Sequence, residues 1–219
     1  MASLSQCKNQ TNSSNVKARL STILYFAIAS LLIANLRAAD ALKPDSQGYI
    51  RDWLMLAPIS LPEGRSGAEL IHQDQIKGES GLQPKAGDKI TVGGKELTWR
   101  AIAATTNYVD FNATLKSIND HAIGYLVTYV ECDQELPNVI MAVGSNDEGR
   151  IYYNGVDIYV FSEARQLELD SEKGRVTLKK GLNVIVFKIL NEQGNWQGAM
   201  RFLDKSGAPL TNLKIKLSP

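Results

Sequence analysis

From residue 122 to residue 203 short apolar runs alternate with turn signals, and no long segment of helical period interrupts them. The runs are 122–130, 139–143, 151–153, 156–161, 175–178, 182–190 and 198–203. Residues 122–130 are rich in β-branched and aromatic side chains, which fit a pleated, half-buried surface. Turns recurring about every ten residues predict an all-β sandwich rather than a parallel α/β sheet. At the centre, Asn154-Gly155 separates Ile151-Tyr152-Tyr153 from the run beginning at Val156. A two-residue type I′ turn needs positive φ at both positions, and Asn and Gly tolerate that best, so a tight hairpin is expected here.

The first half is less regular. A strand is expected over 49–56, stopped by Pro58 and Pro62. The glycine-rich stretch 63–94 reads as long loops with one short helix around 68–76, and Gly93-Gly94-Lys95 as a turn. Residues 97–103 read as a strand carrying Trp99, and 108–111 as a short extended piece. Trp53, Trp99, Tyr125 and Tyr129 lie in apolar runs and are assigned to the core.

Before all of this, Lys17 and Arg19 precede the apolar run 20–34, and Ala39-Asp40-Ala41 follows it. A basic lead, an apolar stretch and a small-residue site make residues 1–41 a signal peptide. An uncleaved signal-anchor is the competing reading, since the run approaches the length of a spanning helix. Either way, residues 42–219 are expected as a single exported domain, secreted or in the periplasm or cell envelope. Cys7 precedes the apolar run, so it is not a lipidation site. Cys132 is then the one cysteine of the exported part and reads as a small buried hydrophobe.

The chain has 219 residues, and 44% of them are hydrophobic, enough for a packed core. Its net charge is +1, which excludes a broad basic face for nucleic acid. Neither Gly-x-Ser-x-Gly nor His-Glu-x-x-His occurs, and the two histidines, His72 and His121, fall in turn-like polar surroundings. Asp147 and Glu148 form the obvious carboxylate pair, but neighbours on a strand point to opposite faces and would not straddle a glycosidic bond. No enzyme is expected. Two readings are open for Asn146-Asp147-Glu148: a solvated turn, or a loop offering oxygen ligands. Two are open for Trp196 as well: a plug in the end of the sandwich, or an exposed platform on which a sugar ring stacks while Asn and Arg side chains bond its hydroxyls.

Several short motifs carry a resemblance. Ser145-Asn146-Asp147-Glu148-Gly149, followed by Arg150-Ile151-Tyr152-Tyr153-Asn154-Gly155, is similar to the core of PA14-like and galactose-binding-like jelly rolls of secreted bacterial proteins. Leu178-Lys179-Lys180-Gly181-Leu182-Asn183 resembles the strand that follows in those domains, and Gly194-Asn195-Trp196-Gln197-Gly198 their closing segment. Near the start, Trp53-Leu54-Met55-Leu56-Ala57-Pro58 resembles their opening strand. The resemblance covers residues 49–204 and is dense over 126–202. It implies a jelly-roll β-sandwich after the signal segment, and a non-catalytic module for carbohydrate or a cell-envelope glycan. It points to Asn146, Asp147, Arg150, Asn195 and Trp196 as ligand-binding residues, with Asp147 as a ligand for a possible calcium ion. Asn146 stands where some PA14 lectins have the first of two acidic residues. The alternative is a structural or protein-interaction module of the envelope without a small ligand.

Overall fold

The computed structural model describes residues 41–219; the expected signal segment and Cys7 lie outside the described residues. Thirteen strands dominate: β1 (Asp52–Ser60), β2 (Lys89–Val92), β3 (Lys95–Thr98), β4 (Arg100–Ala103), β5 (Val109–Asp110), β6 (Ala122–Cys132), β7 (Leu136–Ser145), β8 (Gly149–Tyr153), β9 (Val156–Phe161), β10 (Glu172–Leu178), β11 (Gly181–Asn191), β12 (Gln197–Leu203) and β13 (Lys214–Lys216). Two one-turn helices, α1 (Gly67–Leu70) and α2 (Phe111–Leu115), and a 3-10 turn, Glu79–Gly81, complete the described elements. No helix among the described residues is long and apolar enough to cross a membrane.

The strands form two main antiparallel sheets. The larger runs β4-β1-β6-β11-β8-β9, with β13 pairing β6 beyond the end of β1; the smaller runs β10-β7-β12-β5. Their facing sides share one core. Met55, Leu126, Ile185 and Phe187 come from the larger sheet, and Val139, Met141, Met200 and Phe202 from the smaller. From β6 to β13 the chain changes sheet at every connection except the β8–β9 hairpin. The protein is thus an all-β sandwich, as the turn spacing predicts, with the jelly-roll connectivity that the resemblance implies. The hairpin turn is as expected, with φ of 50° at Asn154 and 80° at Gly155. Asn154 also accepts from the Val184 amide through its side chain (2.8 Å), tying the turn to β11.

A sandwich strand with one wet face alternates buried and exposed residues. β6 does not: from Ala122 to Val130 every residue is buried. The reason is a second layer on the outer face of the larger sheet, built from residues 61–99. Leu61, Leu70, Ile71, Ile76 and Trp99 pack there against Leu54, Tyr125, Val127, Tyr129 and Val186. The glycine-rich stretch read as loops is this layer, and it includes the β2–β3 hairpin that turns at Gly93-Gly94. The expected strand over 97–103 is two strands, β3 and β4, separated at Trp99, whose ring enters the outer core. β1 continues through Pro58, where its register against β6 shifts, a bulge being one place a strand accepts proline.

An ion pair fastens the layer. Lys188 projects from β11 between apolar neighbours and is fully buried, as is Glu79. Lys188 Nζ lies 3.0 and 3.2 Å from the Glu79 carboxylate oxygens and donates to the Gln73 carbonyl at 2.6 Å. Glu79 also accepts from the Tyr152 hydroxyl (2.7 Å), the Gln75 amide (3.1 Å) and the Tyr125 hydroxyl. Burial lowers the Lys188 pKa, and the adjacent Glu79 carboxylate opposes that shift.

Candidate functional site

The Asn146–Glu148 and Asn195–Gln197 loops meet at one end of the sandwich. The Asn146 amide donates to the Gln197 carbonyl (2.9 Å), and Gln197 pairs with Asp110 on β5. In a jelly roll, loops at one end of the sheets gather although they are far apart in sequence, and these two do so. The side chains are placed differently from the sequence expectation. Trp196 is fully buried, its ring stacked on Phe111 with centroids 4.4 Å apart and its Nε1 donating to the Ile189 carbonyl. Its surroundings, including Phe187, Ile189 and Met200, are core. The reading of Trp196 as an exposed sugar platform is corrected: it plugs the sandwich end, because an indole gains more from apolar burial with its N–H satisfied than from a wet loop.

Asn146, Asp147 and Glu148 are also buried, which replaces the solvated turn. Asn146 Nδ2 donates to the Arg165 carbonyl at 2.8 Å. Asp147 has φ of 53°, and its Oδ2 accepts the Glu192 amide at 2.9 Å, closing the turn after β11. Burial raises the Asp147 pKa, partly offset by the backbone amides of Glu192 and Arg165. A calcium ion takes six to eight oxygens. The Asp147 carboxylate is instead engaged by backbone amides, and no group of three or more His, Cys, Asp or Glu side chains among the described residues is arranged for a metal. Three side-chain oxygens in and beside this loop, Asn146 Oδ1, Glu148 Oε2 and Asn191 Oδ1, are buried without a hydrogen-bond partner. Arg150 is held by Asp157 (2.6 Å) and the Ile71 carbonyl (3.2 Å). Of the five expected ligand residues, Asn195 alone is exposed.

Glu148 lies beneath the start of α1, only 2% exposed, with Oε2 unpartnered. A Cβ on Gly67 would stand 2.6 Å from its carboxyl atoms, so glycine is needed there for the carboxyl to fit. Burial, with Glu192 and Asp147 nearby, pushes the Glu148 pKa up to about 7.

Beside the same end, the β4–β5 connection and α2 enclose a solvent-open cleft of about 550 Å³. Its lining residues include Thr105, Thr106, Tyr108, Asp110, Thr114 and Lys116. Local chemistry fixes these groups. Asp110 caps α2 by accepting the Ala113 amide (2.9 Å) and also accepts from Gln197 Nε2 (3.2 Å). The Thr106 hydroxyl donates to the Tyr108 carbonyl (2.9 Å) and that of Thr114 to the Asp110 carbonyl (2.6 Å), leaving oxygen lone pairs as acceptors. Phe111, at the start of α2, stacks on the buried Trp196. Sequence reading noted 108–111 only as an extended piece. The Thr-Thr-x-Tyr-x-Asp pattern at 105–110 is the signal that was there to be read.

No protein-family model matches the chain, and no curated protein matches it. Among solved structures, it is similar to the GH31 alpha-xylosidase from Xanthomonas citri, with a TM-score of 0.39 and 10% identity. That similarity covers 79% of this chain and 18% of the xylosidase chain.

Proposed function

We propose that this chain is an exported, non-catalytic module that binds carbohydrate in the cleft between the β4–β5 connection and α2. The cleft carries the reading: about 550 Å³ of open space lined by a tyrosine together with three threonines, an aspartate and a lysine. That volume is ordinary for a ligand site, where an apolar surface gives adhesion and a few polar groups fix orientation. A pyranose presents the complementary surface, a C–H face for Tyr108 and hydroxyls for Thr105, Asp110 and Lys116. The motifs resembling PA14-like and galactose-binding-like jelly rolls support the same class of ligand, and the signal-like order of residues 17–41 supports export.

A glycan array followed by calorimetric titration of the retained sugar tests the reading. Tyr108→Ala removes the ring from a half-buried surface position and should weaken binding by about 1–2 kcal/mol, roughly five- to thirtyfold, with little change in melting temperature. An array on which nothing is retained, or a variant that binds like wild type, rejects this site.

A further inference from the structure

β9 ends the larger sheet and β10 ends the smaller, so both flank one open edge of the sandwich. In β10, Glu172, Gly174 and Val176 stand opposite Val143, Met141 and Val139 of β7, whose side chains lie in the shared core. Directly paired residues share a face, so Gly174 occupies an inward position. Nothing lies within 4 Å of where its Cβ would be, and its φ is not in the left-handed region. Neither crowding nor backbone geometry requires glycine there, although glycine weakens a strand interior.

The missing side chain leaves a hollow of about 140 Å³ lined by Met141, Val143, Ile158, Tyr159 and Val176, with Lys173, Arg175 and Glu172, the last paired with Arg165, also bordering it. Its size is close to that of engineered apolar cavities that accept a benzene ring. A second, more open hollow of about 330 Å³ shares Ile158 and Val176 and runs on past Val156 toward Lys179. Val156 and Ile158 are 62% and 39% exposed. Lys173, Arg175 and Lys179 line these hollows. Among the described residues none of these three cations is in an ion pair. Lysine on an edge strand commonly guards it against pairing with other chains; that role does not account for the gap at Gly174.

We propose that the β9–β10 edge is a docking groove for an extended acidic segment of a partner protein, one aliphatic side chain of which seats in the gap at Gly174. The charge of the rim selects the acidic flanks and the hollow selects the apolar side chain. Edge strands supply main-chain hydrogen bonds to such a segment, and pockets for alternate side chains supply specificity.

Three capped heptapeptides serve as probes: one leucine flanked by three glutamates on each side, the same peptide with alanine at the centre, and the same with lysines for glutamates. Amide chemical shifts of the exported domain are followed during titration. The glutamate–leucine peptide should bind saturably and move Ile158, Gly174 and Val176, and the other two should bind at least tenfold more weakly. Gly174→Val puts a side chain into the hollow from a Cβ position with no atom within 4 Å, so the melting temperature should hold while peptide binding falls at least tenfold. Arg175→Glu, on the rim, should weaken binding independently of any effect of Gly174→Val on folding. Equal binding by wild type and folded Gly174→Val, no saturable binding of the glutamate–leucine peptide, or preference for the lysine peptide overturns the proposal. Glycan binding in the cleft is a separate readout, and Gly174→Val should leave it unchanged.

Discussion

Glu148 sets a pH dependence that a loop carboxylate would not have. Its folded pKa is raised from 4.5 to about 7 by burial, with Glu192 and Asp147 adding to the shift. An acid whose pKa is higher in the folded state binds more protons there, so it contributes stability at low pH and loses it as pH rises through about 7. Between pH 5 and pH 8 urea-unfolding free energy should fall by up to about 3 kcal/mol from this group, and Glu148→Gln should remove that part of the fall. Parallel slopes for wild type and variant would contradict the assignment. Trp196 makes the second prediction at this scale. Removing a fully buried ring stacked on Phe111 should cost about 3–5 kcal/mol, measured by chemical denaturation. An unchanged midpoint would mean that the indole is not part of the core. Both residues show why the site was only partly legible. The sequence shows a polar loop and a tryptophan between polar neighbours; burial depends on what packs above them, and Gly67 and Phe111 are 81 and 85 residues away in the chain.

At the scale of elements, local rules were readable and long-range ones were not. The Asn154-Gly155 turn needs only its own two residues and their strands, and it appears where expected. The layer over 61–99 has no such local code. Its short strands and one-turn helices are weak as isolated elements and exist because they cover the outer face of β6 and β11. The Glu79–Lys188 pair that fastens it spans 109 residues and carries no motif. The uninterrupted apolar run of β6 was the available sign that both its faces are covered. Breaking a buried pair by removing one partner strands the other charge. Lys188→Met should therefore destabilise the protein by about 3–5 kcal/mol. The same variant should speed hydrogen exchange at the amides of residues 61–82. A loss under 1 kcal/mol with unchanged exchange would show that the layer is held by its apolar contacts alone.

For the whole molecule, the fold class followed from strand spacing, because frequent turns and absent helical periods leave few ways to bury apolar faces other than stacking two sheets, while the jelly-roll connectivity was implied only by the motif resemblance. Function follows less directly, since a sandwich hosts many activities and its sites lie in loops. The loop end was legible, but the expected ligand groups at that end are mostly consumed by the fold; the groups still facing solvent lie on 105–116, beside the buried Trp196. The most direct measurement is an amide-shift map of residues 42–219, titrated with the glycan an array retains. Shifts concentrated at Thr105, Thr106, Tyr108, Thr114 and Lys116, and abolished in Tyr108→Ala, are the predicted result. Shifts centred on Asn146, Asp147 and Asn195, or on the β9–β10 edge, would contradict it.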